Sequence, residues 1–310
     1  MTDTPHPGGI GRIGDLTVSR IGYGAMQLDG GSVDDAVTLL RRAVELGVNH
    51  IDTAPFYAGG EVDRRIRTAL APYRDDLVIV SKVGAVHTPA AAIPLAAAQK
   101  PAELRAGVEL DLAELGAEQI PVVNLRRLDL GPGVRADGDQ IVDLDDQLAE
   151  MIALRDEGKI GAIGISNVEL GTLKRALPAG IVCVQNAYSL LDRRREDMLE
   201  FCVDNEIAWV PFFPLGSSFP GFPKVANNPV VRRIAGDLGA TPAQIGLGWL
   251  LAHAPNTLLI AGTRSIAHME ENLRAGDITL SADMLADLDA VPGAGLSDSD
   301  GVEAFLDEGR

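Results

Sequence analysis

The chain has 310 residues, a mean hydropathy of +0.10 and only 4% aromatic side chains, so Ala, Val, Leu and Ile must fill its core. Forty-four acidic against 27 basic residues leave a formal net charge of -17, a field that repels phosphate backbones and anionic lipid and so excludes nucleic-acid and membrane partners. Cys183 and Cys202 offer neither a disulfide framework nor a metal-ligand spacing, and there is no basic-then-apolar leader and no run long enough to span a bilayer; a cytoplasmic setting without metal is expected.

Taken in chain order, residues 1–10 read as a flexible tail, and GRIGDLTVS reads as a hairpin turning at Gly14-Asp15. Gly9, Gly11 and Gly14 spell G-x-G-x-x-G. The dinucleotide fingerprint needs a strand before it and a helix after it, whereas here a tail precedes and the strand-like LTVS follows, so these are turn glycines. From residue 21 the pattern alternates. Apolar strand-like runs fall at 21–26, 48–52, 77–82, 120–126, 160–166, 181–188, 207–213 and 257–262. Helical patterns lie between them, among others at 34–46 (apolar at 37, 40 and 44), 101–115, 145–158 and 242–253, with Pro101 and Gly116 marking one start and stop.

Eight such strands alternating with helices, with no linker between them, predict one α/β domain over 1–310 folded as a (β/α)8 TIM barrel behind an N-terminal β-hairpin; a doubly wound open sheet is the alternative. Long polar or Pro/Gly-rich stretches at 84–100, 128–142, 214–228 and 292–310 all follow strands or close the chain. In a barrel they crowd the C-terminal face, where catalysis is expected.

Three reactive side chains fall on that face. HIDTAPFY places Asp52 at the end of the second strand and Tyr57 in the loop beyond it; IVSKVG places Lys82 at the end of the third. One βα repeat separates Asp52 from Lys82, which sets them on neighbouring strands roughly 5 Å apart. A free tyrosine gives up its proton only near pH ~10, too high for neutral chemistry, and an ammonium beside it lowers that value. Asp52 would orient Lys82 and keep it charged, and Tyr57 would protonate a carbonyl oxygen as hydride reaches the carbon.

With these motifs in place, the chain resembles the aldo-keto reductase family over roughly residues 11 to 290. VSRIGYGAM is similar to the family's first strand and IDTAPFY to its Asp/Tyr signature; GAIGISN, VQNAYS, FFPLGS and IAGTRSIAHMEEN match later motifs in order. The resemblance implies a carbonyl reductase acting on a small molecule with NADPH, NADH being possible, and a cofactor extended across the barrel mouth. It implies that Ser166, Asn167 and Gln185 hydrogen-bond the nicotinamide carboxamide and that Phe212 stacks on the ring, a task needing only a π face. Leu215, Gly216 and Ser217 would follow the pyrophosphate, with Gly24, Ala25 and Met26 lining the floor.

The stretch from Gly262 to Asn272 resembles the adenosine-phosphate site. Thr263, Arg264, Ser265 and His268 would meet a 2′-phosphate, with Glu271 and Asn272 near the adenine. Family members often carry Arg where His268 stands; Arg264 and the amide-rich helix start near Ser265 can compensate. The main departure is on the fourth strand, where Arg126 takes the place of the usual catalytic His. Asn124 and Arg126 share a face, expected to be the interior, and Leu125 faces the helices. An inward Arg126 could bond the substrate oxygen, grip an anionic substrate group, or merely neutralise a carboxylate. The same departure allows a second class of function, a cofactor-binding sensor or regulatory subunit with vestigial activity. VVNLR and VPFFPLG resemble a bacterial branch of the family associated with pyridoxal reduction.

Overall fold

The computed structural model describes residues 6–89, 94–130, 134–216 and 223–294. The chain enters through an antiparallel hairpin, β1 (Ile10–Ile13) and β2 (Leu16–Ser19), with Ile13 opposite Leu16 across Gly14-Asp15. The apparent dinucleotide fingerprint is thus hairpin backbone. Residues 6–10, expected to be part of a loose tail, are tied down: Gly9 N–H donates to the His6 carbonyl and Ile21 N–H to the Pro7 carbonyl. Residues 1–5 lie outside the described residues.

A seven-stranded parallel sheet follows. Its strands are β3 (Tyr23–Gly24), β4 (His50–Asp52), β5 (Val78–Val83), β8 (Ile120–Arg126), β9 (Ile160–Ser166), β10 (Ile181–Gln185) and β11 (Ala208–Trp209), each paired with the next. Between β5 and β8 a small antiparallel hairpin, β6 (Ala85–His87) and β7 (Leu95–Ala97), occupies part of a stretch expected to be loop. The eighth expected strand forms only isolated bridges, but they reach both edges of the sheet: Thr257 pairs with Trp209 and Leu259 with Ile21, both parallel. At that seam the backbones touch. A Cβ on Gly24 would lie 2.4 Å from the Ile260 carbonyl oxygen, and one on Gly262 would lie 2.5 Å from that of Gly24, so only glycine permits the approach.

Helices return the chain between strands: α1 (Val33–Glu45), α2 (Glu61–Leu70), α3 (Pro101–Leu115), α4 (Leu144–Asp156), α5 (Leu170–Ala176) and α6 (Glu196–Asp204), then α7 (Pro229–Leu238), α8 (Pro242–His253), α9 (Ile266–Leu273) and α10 (Ala282–Asp289). Local chemistry sets their ends. Ser32 caps α1 by accepting from Asp35 N–H, Pro101 opens α3 and left-handed Gly116 closes it, and Thr241 and Gln244 cap α8 reciprocally behind Pro242. The buried face of α1 is Ala36, Leu39, Leu40 and Ala43, one step round from the expected 37/40/44 stripe; small alanines let the helix sit close to the sheet.

Strand alternation then builds two cores. Ile51, Ile79, Val123, Leu125, Ile163, Ile165, Val184 and Leu259 face the helices in one cluster. Val78, Val80, Val122, Cys183, Ala208, Val210, Leu258 and Ile260 form a second, on the opposite face, together with Ile13 and Val18 of the hairpin. The hairpin therefore closes off that inner face with β-branched side chains, and Asp52, Lys82 and Arg126 lie on it near the C-terminal strand ends.

Candidate active site

Asp52 is the last residue of β4 and stands opposite Val80; Lys82, two residues further along β5, points to the same face. The Lys82 Nζ donates to Asp52 Oδ1 at 2.6 Å and to the Thr53 carbonyl at 2.9 Å, and lies 3.0 Å from the Tyr57 hydroxyl. Asp52 and Lys82 are 2% and 4% exposed, so this ion pair is shielded from water. Burial pushes Lys82 down, but Asp52 and Tyr57 outweigh it, and the ammonium ends above its ordinary range. The lysine is a fixed positive charge.

Tyr57 reaches Lys82 because of how the β4–α2 loop is bent. Its amide donates to the Ala54 carbonyl, and Ala58, Gly59 and Gly60 all adopt left-handed backbone before α2 begins. The Phe56 ring meets the Tyr57 ring edge-on at 5.3 Å, and Ala54, Phe56, Ala85 and Leu95 pack with it, so the β6–β7 hairpin braces the tyrosine loop. His87 of that hairpin lies against Gly59.

Arg126 ends β8 on the same face as Asn124, as expected, while Leu125 is in the helix-facing core. Its guanidinium carbon lies 5.6 Å from the Phe212 ring centroid. Burial lowers its pKa, opposed by the charges of Tyr57 and Asp52. Among the described residues its guanidinium has no hydrogen bond and no ion pair. Arg127, by contrast, is fully engaged with Asp129, the Gln147 side chain and the Val142 carbonyl.

The neighbouring strand ends carry unmatched polar atoms. Gln185 Nε2 donates to Asp52 Oδ2 at 2.7 Å, leaving its Oε1 buried without a protein partner among the described residues. Ser166 Oγ is likewise buried and unpaired. Asn167 is held in left-handed backbone with both amide hydrogens committed, to the carbonyls of Arg127 and Leu130, so only its side-chain oxygen remains. Phe212 packs edge-on against Phe213, and Leu215 and left-handed Gly216 follow it. Ser217 lies outside the described residues. Gly24 and Ala25 are buried, whereas Met26 is 42% exposed.

Beside the first strand, Tyr23 donates to the Thr263 carbonyl at 2.6 Å and pins that segment. Ser265 Oγ caps α9 by accepting from His268 N–H, and Glu271 accepts from Thr241, so neither side chain is idle. Arg264 and His268 are exposed and Arg264 lies against Gly30, where a Cβ would meet it at 2.3 Å; Asn272 is half-buried beside them on α9.

One cluster escaped the sequence. Asp63 of α2 and Asp111 of α3 are both fully buried behind the sheet, with Thr53 Oγ1 donating to Asp63 Oδ1 at 2.6 Å. Burial drives Asp63 up to about 6 and Asp111 well above the usual carboxylate range, each also feeling the other. Thr53 links them to Lys82 through its carbonyl. On helices these acids look like solvent-facing charge, and only the packing shows otherwise.

Asp52, Lys82 and Tyr57 thus gather at the C-terminal end of a parallel α/β sheet, and comparison with known proteins gives the family. The Aldo/keto reductase family model matches residues 20–292, and the chain belongs to that family. It is 41% identical over 288 residues to pyridoxine 4-dehydrogenase of Escherichia coli, covering 90% of this chain and 96% of that one. It is 34% identical to an uncharacterized oxidoreductase of Schizosaccharomyces pombe, covering 91% and 89%. Among solved structures, an aldo-keto reductase from Klebsiella pneumoniae in complex with NADPH superposes with a TM-score of 0.75 at 26% identity, covering 92% of this chain and 94% of that one.

Proposed function

We propose that this chain is a single-domain NADPH-dependent reductase that converts an aldehyde, pyridoxal or another aromatic aldehyde, to its alcohol, with Tyr57 as the proton donor. The observation that carries the reading is the buried contact set around Lys82: Asp52 at 2.6 Å on one side and the Tyr57 hydroxyl at 3.0 Å on the other. The 257–260 segment bridging both sheet edges is read as the eighth stave of a closed barrel, with this set at its mouth.

When bound, reduced nicotinamide supplies the hydride. The residues suited to hold it are those left with unmatched atoms. Gln185 Oε1 can accept from a carboxamide N–H, Ser166 Oγ can donate to its oxygen, and Phe212 offers a ring face. Leu215 and Gly216 would line the path of the pyrophosphate. The exposed cation of Arg264, with His268 beside the first turn of α9, suits a 2′-phosphate, and the chain's overall negative charge makes such a local cation necessary. Tyr57 releases its hydroxyl proton to the carbonyl oxygen, converting C=O to CH–OH once the carbon has gained hydride. Lys82 stabilises the tyrosinate left behind, and Asp52 keeps the ammonium in place.

The Arg126 substitution is what favours the second reading, a cofactor-binding sensor with vestigial turnover. Steady-state NADPH and NADH oxidation with pyridoxal and simple aromatic and aliphatic aldehydes separates the two. A reductase consumes cofactor with at least one aldehyde class; a sensor binds NADPH and consumes almost none.

A further inference from the structure

The described side chains at the strand ends do not balance in charge. Asp52 contributes one negative charge and Lys82 one positive, and they satisfy each other at 2.6 Å. Arg126 adds a second positive charge, and no carboxylate among the described residues pairs with it. Its one contact of note is the Phe212 ring. Elsewhere the chain treats enclosed cations differently. Arg65, which is buried, donates to the carbonyls of Leu28, Gly30 and Gly31 and pairs with Glu61, and Arg127, half-buried like Arg126, is saturated. Holding a guanidinium half out of water without a partner is costly, and a protein whose net charge is -17 had many acids with which to avoid it.

We propose that Arg126 is a specificity-determining residue that selects aldehydes carrying an oxyanion next to the carbonyl, as in an aromatic aldehyde with an ionised ortho hydroxyl group. This deepens, and rests on, the reductase reading above. The guanidinium presents parallel N–H groups in a plane, a fork that fits two oxygens held side by side. An aromatic ring keeps carbonyl and ortho oxyanion coplanar, and turning the formyl oxygen toward the oxyanion, one rotation that the bridging cation favours, lets both meet the fork without ordering a flexible chain. The carbonyl oxygen is then shared between Tyr57, which protonates it, and Arg126, which aligns it. A substrate without the adjacent oxyanion leaves half of the fork and one half-buried charge unmatched.

The test compares kcat/KM for 2-hydroxybenzaldehyde, 4-hydroxybenzaldehyde and 2-methoxybenzaldehyde with NADPH, at a pH where the phenols are ionised. The methoxy compound keeps the ortho bulk and lacks the charge. The 4-hydroxy isomer keeps the charge and moves it away. The parent enzyme should favour the 2-hydroxy compound over both by about 10- to 100-fold, the range of a charge-assisted bond in a shielded site. Arg126→Met should shrink that ratio to about twofold or less, and Arg126→Lys, a charge without the fork, should fall between. Thermal melting and NADPH titration check that both variants are folded. Similar rates for all three aldehydes in the parent enzyme overturn the inference while leaving the reductase reading intact. A loss of NADPH affinity in Arg126→Met as large as the loss of selectivity overturns it too, because the anion is then a cofactor phosphate. No NADPH oxidation with any aldehyde overturns the reductase reading itself, and the inference with it.

Discussion

Gln185 donates to Oδ2 of Asp52 across 2.7 Å, from a position 133 residues further along the chain, while Lys82 holds the other carboxylate oxygen. The carboxylate is clamped at both ends, and the clamp leaves the Gln185 carbonyl oxygen buried with no partner of its own among the described residues. One amide thus joins the proposed proton machinery to the proposed carboxamide site. Gln185→Leu should weaken NADPH binding roughly tenfold, as expected for one buried hydrogen bond lost. Titration of protein fluorescence with NADPH reads this directly. Unchanged affinity would remove Gln185 from the cofactor site.

Lys82→Met should abolish turnover and also destabilise the fold. It leaves the Asp52 carboxylate buried with no cation, a change that costs about 3–5 kcal/mol in comparable sites. Adding Asp52→Asn to that variant removes the stranded charge, so the double variant should be more stable than Lys82→Met alone yet equally inactive. Urea unfolding of the parent and the variants gives the comparison. A double variant no more stable than the single one would mean that the pair is not the isolated buried ion pair described.

The Asp63–Asp111 cluster predicts a pH dependence of stability. Burial raises both carboxyls, Asp63 to about 6, against an unfolded value near 3.8. A group raised in the folded state contributes stability below its unfolded pKa and loses that contribution as pH climbs through the folded one. From this cluster alone, stability should fall between about pH 4 and 6, and further as Asp111 is forced to ionise. Lys82 opposes the shift of both acids, and Glu114 adds to that of Asp63. Asp111→Asn keeps the shape and cannot ionise, so it should stabilise the protein at pH 8 by roughly 1–3 kcal/mol, with a smaller gain at pH 5. Denaturant midpoints at the two pH values measure the difference. Equal gains at both would place the proton elsewhere.

Arg264→Ala tests the phosphate assignment. Loss of a charge-assisted contact to a 2′-phosphate should raise KM for NADPH about 10- to 100-fold and leave KM for NADH nearly unchanged. A parallel rise for both nucleotides would assign Arg264 to a group they share.

The sequence was most legible where local chemistry and periodicity agreed. Pro at the first turn bounds both α3 and α8, Gly116 ends α3, and 101–115 and 242–253 are helical over the expected residues. The helix α2 was harder to see, because its buried face contains Asp63 and Arg65 beside Val62, Ile66 and Ala69, which spoils the apolar stripe. The runs 21–26 and 257–262 read as two full strands, yet their seam has a two-residue strand and isolated bridges. There Gly24 and Gly262 pack backbone against backbone, and a curled edge leaves few regular ladder bonds. Asp52 and Lys82 could be read because each closes an apolar run one repeat apart. Tyr57 depended on three consecutive left-handed residues that the Ala-Gly-Gly stretch only hints at.

Tyr57→Phe is the most direct trial of the mechanism. The substitution removes one oxygen and keeps the ring that packs against Phe56. Single-turnover reduction of pyridoxal with NADPH should slow by about three orders of magnitude or more, the upper range of general acid catalysis, while the NADPH dissociation constant stays within about twofold of the parent, since no cofactor contact is assigned to that hydroxyl. Reduction at a rate close to the parent's, with NADPH bound, would contradict the account.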